Sequence, residues 1–193
     1  MLVGGLSACA AVQTPPNSDQ NRERLAEPLT GRMTVRIDAV LSPSEPAAGR
    51  SVSAAFELSG NALQGQLDLN TPLGTTLARA SWQPGNVAVS TPQGAATYPD
   101  LNAMTRALLG EELPLAALFD WLRGRPWSGA PFTSTSTATS ASTATSASSS
   151  AEFAQLGWDV NLTQFSQRWV NARRPASSAN EPAVTVRVRL DPP

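Results

Sequence analysis

Leu67-Asp68-Leu69-Asn70-Thr71-Pro72-Leu73-Gly74-Thr75-Thr76-Leu77 is the stretch on which the reading of this 193-residue chain turns. Leu67 and Leu69 alternate with Asp68 and Asn70, the period of a strand with one buried face. Thr71-Pro72-Leu73-Gly74 breaks that period. Pro72 has no N–H to give to a central ladder, and Gly74 permits a positive φ. The segment therefore reads as strand, short loop, strand. Leu73 sits at the loop tip, between Pro and Gly, where a polar residue is expected. Either it folds back onto the core, or it is an apolar finger held out to a membrane or an acyl chain.

Alternation continues on both sides of this stretch. Met33, Val35, Ile37 and Ala39 share one face of residues 32–40, and Arg32, Thr34, Arg36 and Asp38 share the other. Pro43, Pro46 and Gly49 mark a loop. Val52, Ala54, Phe56 and Leu58 alternate next, and Ser59-Gly60-Asn61 is a hairpin turn. Leu63, Gly65, Leu67 and Leu69 form the following buried face. Residues 75–82 return as a strand ending at Trp82, Pro84-Gly85 turns, Val87 and Val89 make a short strand, and Pro92-Gln93-Gly94 turns again. This is an antiparallel meander with one apolar face.

The period then becomes helical. Asp100 caps a helix that carries Leu101, Met104, Thr105 and Leu108 on one face and closes at Gly110. Pro114 opens a second, with Leu115, Leu118, Phe119 and Leu122 in its stripe and Trp121 beside it, ending at Gly124. Two helices packed on a β core, or a plug over a ligand cavity, both fit that pattern. Residues 133–151 are almost pure Ser, Thr and Ala, with too little apolar bulk to offset ordering, and read as a disordered insertion. Strands resume with Phe153, Leu156, Trp158 and Val160. Phe165 and Trp169 belong to a further strand or its turn, Arg173 to Pro182 is a loop, and Val184, Val186, Val188 and Leu190 make a last half-buried strand.

The totals exclude whole classes of function. Net charge is -1, so nothing points to nucleic acid. There is no His, which removes the usual general base and the commonest metal ligand. The lone Cys9 excludes an intramolecular disulfide and a thiolate metal cluster. No G-x-S-x-G elbow exists, and the one adjacent acidic pair, Glu111-Glu112, sits before a helix, where carboxylates cap or solvate. Neither an enzyme, a metal nor a cofactor is expected. No apolar run reaches the roughly 20 residues that span a bilayer.

The N-terminus is different in kind. Residues 1–8 look like the remnant of an export signal whose true start lies upstream, and Leu6-Ser7-Ala8-Cys9 resembles a bacterial lipobox. Cys9 is then the lipidated first residue of the mature protein, and residues 9–29, with Pro15-Pro16 and Pro28, are a tether with one helical turn around Arg22 to Ala26. In lipoprotein sorting, Ala10 after the Cys looks permissive for the outer membrane.

Strands, two short helices and strands again, behind a lipobox, resemble the LolB family of outer-membrane lipoprotein receptors. The resemblance covers roughly residues 29–132 and 153–191. It rests on Thr30-Gly31-Arg32, on Asn70-Thr71-Pro72-Leu73-Gly74, on Gln83-Pro84-Gly85-Asn86, and on Leu109-Gly110-Glu111-Glu112-Leu113-Pro114-Leu115 followed by Trp121-Leu122-Arg123-Gly124. It implies a mainly β fold: an unclosed antiparallel β-barrel of about 10–11 strands over residues 30–192, with short helices covering a hydrophobic cavity. It implies that the protein, as a monomer, accepts triacylated lipoproteins from the periplasmic carrier LolA and inserts them into the inner leaflet of the outer membrane. Pro72, Leu73 and Gly74 match the family's membrane-insertion loop.

The expected cavity lining is Met33, Val35, Ile37, Phe56, Leu58, Leu67, Leu69, Trp82, Met104, Leu108, Leu118, Trp121 and Trp158. Arg22, Arg24, Arg123 and Arg125 are placed either at its edges or, as the favoured reading, on a solvated face. The Ser/Thr/Ala tract, a C-terminus of Asp191-Pro192-Pro193 without a closing aromatic, and a tether lacking a clear first helix depart from the family pattern. The competing reading is a lipid-binding or structural envelope lipoprotein that transfers nothing; the Leu73 loop speaks against it.

Overall fold

The computed structural model describes residues 28–39, 48–134, 151–178 and 181–192. Cys9, the tether up to residue 27, the Pro43–Pro46 loop and most of the Ser/Thr/Ala tract lie outside the described residues.

The strands are β1 (Leu29–Ile37), β2 (Arg50–Gly60), β3 (Gly65–Asn70), β4 (Thr76–Gln83), β5 (Asn86–Thr91), β6 (Gly94–Tyr98), β7 (Phe132–Ser134), β8 (Glu152–Gln155), β9 (Trp158–Asn161), β10 (Trp169–Arg174) and β11 (Val184–Leu190). Helices α1 (Leu101–Leu109) and α2 (Leu115–Trp121) fall between β6 and β7, and a 3-10 turn, Phe165–Gln167, precedes β10. All the strands join one sheet in the order β6-β5-β4-β3-β2-β1-β11-β10-β9-β8-β7. Every strand pairing among the described residues is antiparallel.

The sheet is thus two meanders, β1 to β6 and β7 to β11, each built from neighbours in sequence. They are joined by one long-range pairing of the first and last strands, from Gly31 opposite Leu190 to Ile37 opposite Val184. β6 and β7 are free edges, so the sheet curls without closing, as the family resemblance implies. One face of the curl carries Val35, Ile37, Phe56, Leu58, Leu67, Trp82, Val87, Val89, Val160, Val170, Val184, Val186 and Val188, all buried. The helices cover that face. Asp100 caps α1 as expected, its Oδ1 accepting from the Ala103 N–H at 2.7 Å, and Gly110 closes it at φ 77°. Pro114 sits at the N-cap of α2.

Several expectations need correcting. β6 has no alternating apolar signal: its residues, Gly-Ala-Ala-Thr-Tyr, gain strand structure as an edge paired with β5. Thr133 and Ser134, assigned to the insertion, belong to β7 and pair with Ala154 and Phe153. Leu29, assigned to the tether, opens β1. Leu63 is not on the buried face of β3 but in the loop before it, and is 72% exposed. Leu156 lies in the β8–β9 turn at φ 55° rather than in a strand. Arg173 and Arg174 end β10 rather than begin a loop.

Candidate functional site

Between the first four strands and α2 the packing is apolar. Met33, Phe56, Leu58, Leu67 and Trp82 from β1 to β4 meet Leu115, Leu118, Phe119 and Leu122 from the α2 region. The Trp82 and Phe119 rings meet edge to face, with centroids 5.5 Å apart. The enclosed cavity left between them is about 20 Å³, little more than the room one water needs. Interiors pack to the density of organic crystals, and here α2 fills the space itself. Among the described residues this pocket between β1 to β4 and α2 is nearly filled by the protein's own side chains.

The expected lining residues divide into four groups. Met33, Phe56, Leu58, Leu67, Trp82 and Leu118 line the residual cavity. Val35, Ile37 and Met104 are buried in the surrounding core, and Leu69 packs against it half-buried. Trp121 and Trp158 lie elsewhere in the same core, in aromatic contact with each other and with Phe153, Trp158 and Phe153 standing 6.3 and 6.4 Å from Trp121 between ring centroids. Leu108 is a correction. It is 47% exposed, because the sheet does not reach the outer side of the last turn of α1. Leu115, Phe119 and Leu122, read from sequence only as a helical stripe, are lining residues too.

Gln155 holds the aromatic cluster and was not anticipated. It is buried, and its Oε1 accepts from Trp121 Nε1 at 2.8 Å and from the Trp127 N–H at 3.0 Å. Its Nε2 donates to the Trp127 and Ala130 carbonyls at 2.7 and 2.8 Å. The signal was present in the sequence: in Glu152-Phe153-Ala154-Gln155 the Gln shares the inward parity of Phe153.

The segment joining α1 to α2 is fastened at both sides of the sheet. Arg50, at the start of β2, donates from Nη2 to the Leu109 carbonyl at 2.6 Å. Arg174, at the end of β10, pairs with Glu111 at 2.5 Å. Glu112 pairs with Arg106 within the helical region. The acidic pair Glu111-Glu112 is thus engaged in ion pairs. Arg123 donates to the Phe119 carbonyl at 2.9 Å, and Arg125 pairs with Asp120 at 2.6 Å, so both brace α2. Arg22 and Arg24 lie outside the described residues.

Leu73 is held out into solvent, 95% exposed. Its loop is closed at the base: the Thr71 N–H donates to the Thr75 carbonyl at 2.8 Å, the Gly74 N–H to the Thr71 carbonyl at 2.9 Å, and the Thr75 N–H to Thr71 Oγ1 at 3.1 Å. Gly74 takes φ +86° with open space around it, so its need for glycine is conformational alone. Below the loop Asp68 pairs with Arg79 across β3 and β4 and accepts from Gln66 at 2.5 Å. Burial raises the Asp68 carboxyl, but the Arg79 and Gln66 hydrogen bonds and the Arg79 charge outweigh it and hold the pKa below its ordinary value of 3.8. The loop stands on a charge-clamped hairpin, and nothing folds Leu73 back.

Residues 28–191 match the family model described as Outer membrane lipoprotein LolB. The outer-membrane lipoprotein LolB of Cupriavidus necator is 28% identical over 193 residues, covering 97% of this chain and 90% of the relative. That of Bordetella petrii is 26% identical over 164 residues, covering 84% and 75%. That of Bordetella pertussis is 41% identical over 102 residues, covering 51% and 47%. With an unclosed β sheet under two helices, an exposed leucine loop and a family match along nearly all of its described residues, this chain belongs to the outer membrane lipoprotein LolB family.

Proposed function

We infer that this outer-membrane lipoprotein receptor of the lipoprotein localisation system holds the acyl chains of its cargo between the concave sheet face and helices α1 and α2. The observation that supports the reading is the apolar contact of Met33, Phe56, Leu58, Leu67 and Trp82 with Leu115, Leu118, Phe119 and Leu122, around a residual cavity of about 20 Å³. Burying acyl chain contributes about 0.8 kcal/mol per methylene, so ten methylenes offer roughly 8 kcal/mol. That is of the order of what the buried side chains of α2 contribute, so acyl chains can compete with α2 for the sheet face. When the chains leave, α2 reseats on Trp82, Leu67 and Phe56 and the apolar face is covered again. A site that refills itself can release cargo without nucleotide hydrolysis, and no step in it makes or breaks a covalent bond.

Cargo arrives from the periplasmic carrier LolA as triacylated lipoprotein and leaves into the outer membrane. Cys9, lipidated, anchors the receptor there. Leu73 enters the bilayer and contributes about 1.5–3 kcal/mol, too little to anchor the protein but enough to orient the exit toward lipid.

The test uses the chain with Cys9→Ala and carrier loaded with radiolabelled lipoprotein. Label should pass to this protein and then into liposomes, and Leu73→Glu should fold normally, accept label and fail to pass it on. A folded protein that takes no label sinks the receptor reading and leaves an envelope lipoprotein without transfer activity. Unchanged delivery by Leu73→Glu sinks the role of the loop.

A further inference from the structure

The convex face of the sheet carries a concentration of positive charge that the acyl-chain site does not use. Arg32 and Arg36 on β1, Arg173 on β10, and Arg187 and Arg189 on β11 all point to solvent. The register sets them in rows. Arg32 lies directly opposite Arg189. Thr185 lies opposite Arg36 on one side and Arg173 on the other, with Ser51 beyond Arg36. Strands stand about 4.8 Å apart, which sets Arg36 and Arg173 about 10 Å apart with the Thr185 hydroxyl between them.

Of the acids on this face, Asp38 pairs with Arg36 at 3.1 Å, and Asp159 lies opposite Arg173 across β9 and β10. Glu57, opposite Thr30, Asp68, paired with Arg79, and Glu152, opposite Asn161, also lie on this face, away from the Arg36–Thr185–Arg173 row. Arg187 and Arg189 stack on Trp169, 5.5 and 5.7 Å from its ring centroid, and Arg187 also donates to Asn171 at 3.1 Å. Like charges directly opposed in a sheet cost stability, so the Arg32–Arg189 pair is a cost in the free protein. Thr34, Arg36, Asp38, Ser51, Arg173, Thr185 and Arg187 enclose a groove of about 440 Å³. Its walls present guanidinium and hydroxyl donors, the partners of a phosphate.

The position favours a membrane over a soluble anion. β3 ends at Asn70, opposite Ala55, so the Thr71–Thr75 loop projects toward the end of the sheet where Arg36 faces Ser51 and Thr185. The leucine tip and the arginine groove share that end. Trp169 adds an amphipathic ring of the kind that settles at membrane interfaces.

We propose that this convex arginine groove, centred on Arg36, Arg173 and Thr185, binds the phosphate headgroups of anionic phospholipids and orients the receptor with Leu73 toward the bilayer. The orienting role rests on the reading of Leu73 as the membrane-facing loop; headgroup binding stands apart from it. Each arginine brought to an anionic surface is worth about fivefold in binding, so two give about 25-fold.

The experiment is flotation of the full chain carrying Cys9→Ala with vesicles of phosphatidylethanolamine alone or with one quarter phosphatidylglycerol. The expected result is a preference for the anionic vesicles of at least tenfold at low salt, fading toward 0.5 M salt as screening takes over. Arg36→Ser with Arg173→Ser should abolish the preference while melting like the parent. Arg32→Ser should melt no lower than the parent in the absence of lipid. Equal binding to both vesicles, or a preference that survives the double substitution, overturns the proposal. So does a double variant that keeps vesicle preference but loses transfer from the carrier, which would make the groove a protein contact. Leu73→Ser, which adds no charge, separates the two readings: unaltered binding to neutral vesicles refutes the loop, whereas the anionic preference should persist in this variant, and its loss refutes the groove.

Discussion

Arg50→Ala should make this protein bind acyl chains more tightly while making it less stable. Arg50 does not line the residual cavity; it donates to the Leu109 carbonyl, 2.6 Å away, at the end of α1. A hydrogen bond from a charged donor contributes roughly 1.5–3 kcal/mol when buried. This one is exposed at the rim, which reduces it to about 1 kcal/mol. Loss of that amount from the closed form raises the population of the open form about fivefold. Apparent affinity scales with that population, so the Kd for an acyl probe should fall about fivefold, while Tm falls by about 2–4 °C. Glu111→Gln releases the other side of the same segment from Arg174. If the two fastenings act independently, the double variant should bind about 25-fold more tightly. The assay is titration of a fluorescent fatty acid into the chain with Cys9→Ala, beside a thermal melt. A fall in Tm with unchanged or weakened binding would refute the reasoning, because the 109–111 segment would then hold the fold together without gating the cavity.

Other substitutions probe the parts that support the site. Gln155→Leu strands the Trp121 and Trp127 N–H donors and two buried carbonyls, and should cost about 3 kcal/mol or more, read as a Tm loss near 10 °C. Gly65→Ala places a methyl against the Trp82 ring and the Ser59 carbonyl, and should cost about 1–3 kcal/mol by overpacking in a denaturant melt. Asp68→Asn should destabilise the protein at pH 7. The Asp68 carboxyl is depressed in the folded state, so its contribution is complete above the ordinary carboxylate pKa and is lost as pH falls through the lower folded value. The stabilities of parent and variant should therefore converge below pH 3.8, and a constant gap down to pH 2 would rule the Asp68–Arg79 clamp out as the cause.

Most strands were legible because their signal is local. Val184, Val186, Val188 and Leu190 alternate without a break, and all four are buried. The strands that escaped, β6 and β7, are edges with exposed residues. An edge needs only one partner's hydrogen bonds and buries no face, so alternation has no cause there. Val52 and Leu108 misled in the opposite direction: each has the right parity for the core, yet each stands at the rim of the curl and is exposed. Periodicity reports which face a residue shares and carries no information on how far the opposing layer extends.

The sequence by itself determined the two meanders, the capped helix at Asp100, the absence of histidine chemistry and the leucine between Pro72 and Gly74, since each depends on residues within a few positions of one another. Only the tertiary structure decided the rest. The pairing of β1 with β11 joins residues about 150 apart in sequence. The seating of Phe119 on Trp82, the four hydrogen bonds of Gln155 and the fastening of the α1–α2 segment by Arg50 and Arg174 likewise join distant parts. Whether the apolar space was a cavity or a filled core was of the same kind. It is a matter of volumes brought together from β1 to β4 and from α2, and no single stretch of sequence contains that sum.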